Sequence, residues 1–307
     1  MDALAGILDG PRARGAFVLR CTMRPPWSLR IRDEAPLAIV AMLRGEAWIL
    51  PDRQNRHGIG AGDVAIVRGP RPYTVADDPG TSPHIIIHPG QRCTTPDGVD
   101  VKPAMDLGVR TWGNDPDGPT AMVTGVYERS GEVSQRLLEA LPRVAVLPAA
   151  ESPLIPLLAA ELGRDRPGQE AVLDRLLDLL LITMLRAWFD RADNAPAWYR
   201  AHQDPLVGKA LRLLHHNPAH GWTVAELAAA SGASRAALAR RFTEVVGEPP
   251  MAYLTNWRLT LAADLLQEPD ATLAAVARQV GYGTPFALST AFKRVRGVTP
   301  KAFRAAE

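Results

Sequence analysis

The chain is short of several things, and each shortage removes a class of function. Of its 307 residues only two are cysteine, Cys21 and Cys93, too few for the disulfide framework of a secreted mini-domain. No apolar run is long enough to span a bilayer, and the acidic, short opening Met1 to Gly10 does not read as a secretory signal. A cytoplasmic location is therefore expected, with no membrane partner. The seven histidines include no His-x-His pair. Only His84 and His88 fall where two side chains share a strand face, and two histidines without a carboxylate or thiolate make a poor catalytic metal site. No metal, no cofactor and no enzymatic activity are expected, the less favoured alternative being a metalloenzyme whose C-terminal module is incidental.

What is present in quantity is a repeat. Thr223-Val-Ala-Glu-Leu-Ala-Ala-Ala-Ser-Gly232 aligns with Thr272-Leu-Ala-Ala-Val-Ala-Arg-Gln-Val-Gly281 at an offset of 49, and beyond the turn the offset becomes 50, pairing Ser234 with Thr284, Leu238 with Leu288, Phe242 with Phe292 and Pro250 with Pro300. One residue is inserted in the second turn. Each copy reads as a short helix, a glycine-containing turn and a second helix able to lie in a DNA major groove. Thr223 with Glu226 makes a capping box, Thr272 keeps the cap without the glutamate, and Ser234 and Thr284 are placed to cap the second helices. Leu238, Phe242 and Val245, and in the other copy Leu288, Phe292 and Val295, recur at helical spacing and should face the core. Between the copies Met251 to Gln267 predicts one joining helix, with Tyr253, Leu254, Trp257, Leu261, Leu265 and Leu266 on its apolar stripe. Such a rod would hold two recognition helices about one DNA turn, roughly 34 Å, apart.

Charge separates this region from the remainder. Residues 205–307 carry 12 lysines and arginines against 7 acids, a net of +5, while the rest carries 23 against 26, a net of −3, so that the overall +2 hides a basic module. That asymmetry suits a module that meets phosphates. Base contacts are expected opposite each core stripe: Arg235, Ala236, Ala239 and Arg240 in the first recognition helix, and Pro285, Phe286, Ser289 and Thr290 in the second, with Lys293 nearer phosphate. Arg240 can fork onto guanine O6 and N7 or sit on a backbone phosphate. Phe286 can touch a thymine methyl or pack beside Tyr282.

The stretch Trp222 to Arg304 resembles the DNA-binding domain of AraC/XylS-type transcription regulators. Ala274-Ala-Val-Ala-Arg-Gln-Val-Gly-Tyr282, Ala291-Phe-Lys-Arg294, Gly297-Val-Thr-Pro300 and Phe303-Arg304 carry the resemblance. Leu288, Thr290 and Arg296 depart from it, standing where the family often has phenylalanine, arginine and an aromatic residue. The resemblance implies double-stranded DNA as partner and contact with RNA polymerase, with activation among the expected outcomes; a homodimer is expected from the helix Gln169 to Arg191 described below.

The first two-thirds reads differently. After a short opening helix come strands at Phe17–Cys21, Ser28–Ile31, Leu37–Leu43, Glu46–Leu50, Asp63–Val67, Tyr73–Val75, His84–His88 and Ala121–Tyr127, a spacing that argues for a sandwich or small barrel. Gly60-Ala-Gly-Asp-Val-Ala-Ile-Val-Arg-Gly-Pro70 resembles a passage of cupin barrels, with Tyr73 where a metal-binding cupin usually has histidine. Two helices follow, Leu154 to Leu162 and Gln169 to Arg191, the second with an apolar surface (Val172, Leu173, Leu176, Leu177, Leu180, Leu181, Met184, Leu185, Trp188) wide enough for a barrel and a dimer partner. A linker is expected from Asp193 to about Pro205. The fold class is thus α+β multidomain: a cupin-like sensor β-barrel over 1–150, a helical dimerisation segment and linker over 151–204, and an all-α double helix-turn-helix DNA-binding domain over 205–307.

The input has two readings. Cys21 and Cys93 can form a reversible thiol pair, with Arg92 lowering the Cys93 pKa, or they are reduced structural thiols and a small organic effector occupies the barrel. Met1-Asp-Ala-Leu4 and Cys21 ahead of a cupin-like barrel resemble the AraC-type subgroup that responds to reactive chlorine, and that resemblance implies oxidation of barrel cysteines.

Overall fold

A computed structural model describes residues 17–52, 54–127, 137–148, 152–191, 195–267 and 270–305. The opening helix expected before residue 16 lies outside them. The described residues divide into two compact units, one within 17–191 and the other within 195–305.

Among its described residues the first unit has twelve strands: β1 (Phe17–Met23), β2 (Ser28–Ile31), β3 (Leu37–Arg44), β4 (Glu46–Leu50), β5 (His57–Gly60), β6 (Asp63–Arg68), β7 (Tyr73–Ala76), β8 (Ile85–His88), β9 (Arg92–Thr94), β10 (Thr111–Gly113), β11 (Thr120–Tyr127) and β12 (Val144–Pro148). They form two six-stranded sheets, ordered β10-β1-β11-β3-β6-β12 and β5-β4-β7-β2-β8-β9. All eight strands read from the sequence are present. The four missed, β5, β9, β10 and β12, have three to five residues each.

Alternation in β3 shows how the unit is layered. Ala38, Val40 and Met42 face the interior shared by the two sheets, while Leu37, Ile39 and Ala41 are equally buried on the other side. A strand buried on both faces reads as a continuous apolar run. The outer cover is α1 (Leu154–Leu162) and α2 (Gln169–Arg191). Gly125 on β11 lets α2 approach, because a Cβ there would stand 2.4 Å from a Leu177 methyl carbon. At the start of α2, buried Gln169 donates to the Glu161 carbonyl (2.8 Å) and accepts from Arg110 Nε (3.2 Å), so one side chain reaches the last turn of α1 and ties the helix pair to the loop before β10.

Most of the α2 stripe is consumed here. Leu173, Leu177, Leu180, Leu181, Met184 and Leu185 are buried, as is Phe189, whereas Trp188 is half-buried. What stays outside is the narrow row Val172, Leu176 and Leu179, with Val172 and Leu179 44% and 49% exposed.

In the second unit the expected linker is partly helical. α3 (Ala197–Gln203) packs on α4 (Val207–His216), and Ala201 is fully buried. The proline and polar residues around it carry no helical period long enough to read. Then come α5 (Val224–Ser231), α6 (Arg235–Val246), α7 (Pro250–Leu266), α8 (Leu273–Gln279), α9 (Pro285–Arg296) and α10 (Pro300–Ala305). The caps are where the sequence put them. Thr223 Oγ1 accepts from the Glu226 amide (3.1 Å) while Glu226 accepts from the Thr223 amide (2.9 Å); Thr272, Ser234 and Thr284 each accept from the amide three residues on.

The core stripes need two corrections. Leu238, Phe242, Leu288 and Phe292 are fully buried, but Val245 is only half-buried and Val295 is 44% exposed, because the last helical turn runs past the core. On α7 the stripe is wider than read: Leu259, Thr260, Ala262 and Ala263 are buried, while Leu261 and Leu265 are only half-buried. The helix serves one core along its first half and another along its second, so its buried face changes direction midway.

Candidate functional site

The recognition helices α6 and α9 present the residues singled out from the sequence. Arg235, Ala236, Arg240, Pro285, Phe286, Thr290 and Lys293 are exposed, and Ala239 and Ser289 are half-buried at the edge of the same stripes. The spacing explains the arrangement: Ala236, Ala239 and Arg240, like Phe286, Ser289, Thr290 and Lys293, recur at three and four residues and share a face. Phe286 is 80% exposed, so it does not pack beside Tyr282, which instead leans on the core of the second motif.

Several arginines that a charge count assigns to DNA are occupied inside the unit. Arg241 bonds Asp204 (Nε to Oδ2, 2.8 Å) and Glu244, and the Asp204 carboxylate, although burial opposes it, is held below the usual range by the Val207 amide, Arg241 and the Leu206 amide. Arg258 donates to the carbonyls of Pro218 and His220, each at 2.7 Å. Arg296 donates to Thr260 Oγ1 (3.2 Å), and Arg304 to the Ala271 carbonyl. These residues act as cross-ties. Arg240, by contrast, keeps 79% of its side chain exposed and meets only Glu244 at 3.7 Å, a pair at the loose limit.

The sheet unit contains a second candidate site. A cavity of about 290 Å3 opens between the sheets, walled by apolar residues including Phe17, Leu29, Ile31, Val40, Val75, Ile87, Met122 and Val126. Its polar members include Asp33, Tyr73, Gln91, Lys102, Asp106 and Arg110, beside two threonines, Thr111 and Thr124, and its two cations are matched by two carboxylates. Burial first, and then the Asp33 carboxylate, push the Tyr73 phenol up, so it is a neutral hydroxyl. Loop residues such as Lys102 and Asp106 carried no sequence signal, because nothing local marks a loop that folds over a cavity.

Cys21 and Cys93 both face this cavity and both are buried free thiols. Cys21 stands opposite Met122 on β11 and beside Trp112 on β10. The expected activation of the thiols is corrected by the structure. Burial, followed by the neighbouring Cys93, pushes Cys21 up to about 12, and burial also raises Cys93 against the opposing pull of Lys102. Arg92 is exposed and contributes nothing, since adjacent strand residues point to opposite faces. The cysteines lie on facing sheets, which pack about 10 Å apart, whereas a disulfide needs Cα atoms within roughly 7 Å. Both are free thiols, and Cys93 acts electrostatically on Cys21 across the cavity. Of the histidines, His84 precedes β8, and His88 pairs with Thr94 Oγ1 at 2.9 Å.

A cavity-bearing β-sandwich with a duplicated helix-turn-helix unit in the same chain defines a DNA-binding transcription regulator of two-part construction. The comparisons with known proteins agree. A profile described as Cupin matches residues 2–190, and one described as Helix-turn-helix domain matches 227–306. The putative AraC-like transcription regulator of Streptomyces antibioticus is 33% identical over 312 residues, covering 99% of this chain and 98% of that protein. The RCS-specific HTH-type transcriptional activator RclR of Escherichia coli is 29% identical over 150 residues, 49% of this chain and 53% of that protein. Among solved structures, the DNA-binding domain of AdpA in complex with a target DNA is 35% identical, covers 34% of this chain and 92% of that one, and has a TM-score of 0.32. The chain belongs to the AraC-type family of transcription regulators. No helix among the described residues is long and apolar enough to cross a membrane.

The thiol environment has a measurable consequence. A folded-state pKa raised from 9.0 to about 12 means that the native state keeps the Cys21 proton where the unfolded chain has lost it, so this stability is intact below pH 9 and lost as pH rises from 9 towards 12. Denaturant midpoints should fall more between pH 8 and pH 11 for the wild type than for Cys21→Ser. In native protein at pH 8, Ellman's reagent should label Cys93 before Cys21, and both more slowly than free cysteine; fast, equal labelling would contradict this account.

Proposed function

We propose that the chain binds an asymmetric site on double-stranded DNA through α6 and α9, and acts on RNA polymerase from there, without catalysing a reaction of its own. In this reading residues 1–150 form the sensor domain, 151–204 the helical dimerisation segment and linker, with α3 docked on the DNA-binding unit, and 205–307 the DNA-binding domain. The observation that carries the reading is the exposed Arg240 on the outward face of α6, held only by a loose pair with Glu244 among the described residues, beside an Arg241 that is tied down. A guanidinium in that position can fork onto guanine O6 and N7. Arg240→Ala should cost about 1–3 kcal/mol at its guanine and relax preference there, measured by fluorescence anisotropy on duplexes substituted at each base pair. An equal loss on every duplex would make Arg240 a phosphate contact.

The input we propose is a largely apolar organic molecule in the sheet cavity. The wall is mostly hydrocarbon, its four charged residues balance, and its volume is just below the range usual for ligand sites. The neutral dye N-phenyl-1-naphthylamine should brighten on binding the full chain, and Val40→Trp, which places an indole in the cavity, should abolish the signal; brightening unaffected by Val40→Trp would put the dye elsewhere. Oxidation remains the second reading because both thiols face the same cavity and because one relative is named as RCS-specific. It requires that hypochlorous acid change DNA occupancy, that dithiothreitol reverse the change, and that Cys21→Ser abolish it while leaving dye binding intact.

Association is proposed through the row Val172, Leu176 and Leu179 that α2 leaves uncovered, with a second copy as partner. Leu179→Glu should convert a dimer to a monomer in sedimentation at micromolar concentration. A wild type that sediments as a monomer with and without DNA would remove the proposal.

A further inference from the structure

The two recognition helices offer different chemistry to whatever lies in front of them. On α6 the outward stripe is Ala236, Ala239 and Arg240, entered by Arg235; on α9 the matching positions hold Phe286, Ser289 and Thr290, entered by Pro285. No charged group stands on the second stripe until Lys293, one turn later. Phe286 is more exposed than any other large apolar side chain among the described residues, at 80%. The fold has no use for a phenyl group there: the core behind α9 is filled by Leu288, Ala291 and Phe292, with Phe303 and Tyr282 packed against it. The helix start is already secured by the Thr284 cap. A lone exposed aromatic carries little information on a generic surface; on the reading face of a recognition helix it has a specific counterpart.

Resting on the DNA reading proposed above, we propose that α9 recognises thymine through its C5 methyl group, with Phe286 as the specificity-determining contact and the Thr290 methyl group beside it. Among the four bases only thymine presents an apolar feature in the major groove. A phenyl ring has neither donor nor acceptor, so against the cytosine amino group or the guanine O6 and N7 atoms it strips water without replacing the hydrogen bonds. An arginine on α6 and a phenyl on α9 therefore select unlike half-sites, a guanine-bearing one and a thymine-bearing one.

The test uses the full-length protein. Its operator is selected from a random duplex pool, and each thymine is then replaced singly by deoxyuridine, which deletes only the methyl. At one or two thymines in the half-site away from the guanine read by Arg240, affinity should fall about fourfold, the effect of one buried methyl-sized group. Phe286→Ala should weaken the parent operator by a similar factor, lose the thymine-over-uracil preference at those positions, and keep the guanine preference. Phe286→Leu should retain part of the methyl sensitivity. Because the side chain is exposed, Phe286→Ala should unfold at the wild-type temperature, which separates lost contact from lost fold. Duplexes that bind equally well with uracil at every position, or a Phe286→Ala protein that still discriminates at the same thymines, would overturn the proposal; the second result would assign Phe286 to another partner. Failure to enrich any sequence would sink the DNA reading itself, and would show before any uridine is placed.

Discussion

Helix α7 is packed into two cores at once, and the geometry of the DNA-binding unit hangs on that. Tyr253, Leu254 and Trp257 are buried along its first half, where it meets α6, and Leu259, Ala262, Ala263 and Leu266 complete the core of the second motif. A helix committed on two sides cannot turn about its axis or slide without opening one core, at several kcal/mol for each large side chain uncovered. Its 17 residues, at about 1.5 Å each, span roughly 25 Å. Cross-ties reinforce the rod: Arg258 reaches carbonyls just before the first motif, and Arg296 reaches buried Thr260 from the end of α9. Gly281, with φ of +86°, admits the approach of the Ala219 backbone, which a Cβ would meet at 2.7 Å. The turn of the second motif is thereby seated against the segment preceding the first.

What the sequence made legible were features whose cause is local. A cap needs one hydroxyl and one amide three residues on, and all four caps formed at Thr223, Ser234, Thr272 and Thr284. A duplicated motif shows its own boundaries. Tertiary causes were illegible. Val295 continues a helical period beyond the end of the core it was expected to join; Arg296 looks like surface charge until the Thr260 hydroxyl appears behind it; α3 reads as linker because only its docking makes it a helix. Most of the stripe that suggested a dimer face on α2 is spent against the sheets, for the wall it packs on is invisible from the helix alone.

The cysteines show the same division with a sign attached. A neighbouring arginine in the chain suggests a lowered thiol pKa, but in a strand the next residue points away, and the cation that acts on Cys93 is Lys102, nine positions further on. Even so, desolvation outweighs it. Moving a thiolate into an apolar interior forfeits its hydration, whereas one partly solvated ammonium returns only a fraction of that energy. Buried thiols that keep their protons are slow nucleophiles, and what the two share is the cavity they line. An occupant of that cavity would lie against both thiols, and the two proposed inputs would compete for one space.

The two copies of the motif agree where they fold and differ where they face outward. Leu238 with Phe242, and Leu288 with Phe292, answer the same packing problem and are all fully buried; Gly247 and Gly297 end their helices in the same left-handed conformation. Nothing in packing constrains Ala236 against Phe286 or Arg240 against Thr290, and there the copies diverge. Net charge conceals this, since Arg241, Arg258, Arg296 and Arg304 contribute to the basic count while acting as internal ties. Positive charge on the outward stripes is thus concentrated on α6, with Lys293 the exception on α9. A duplicated scaffold with unlike faces cannot read a symmetric site from one chain, so any symmetry in the bound DNA has to come from a second copy.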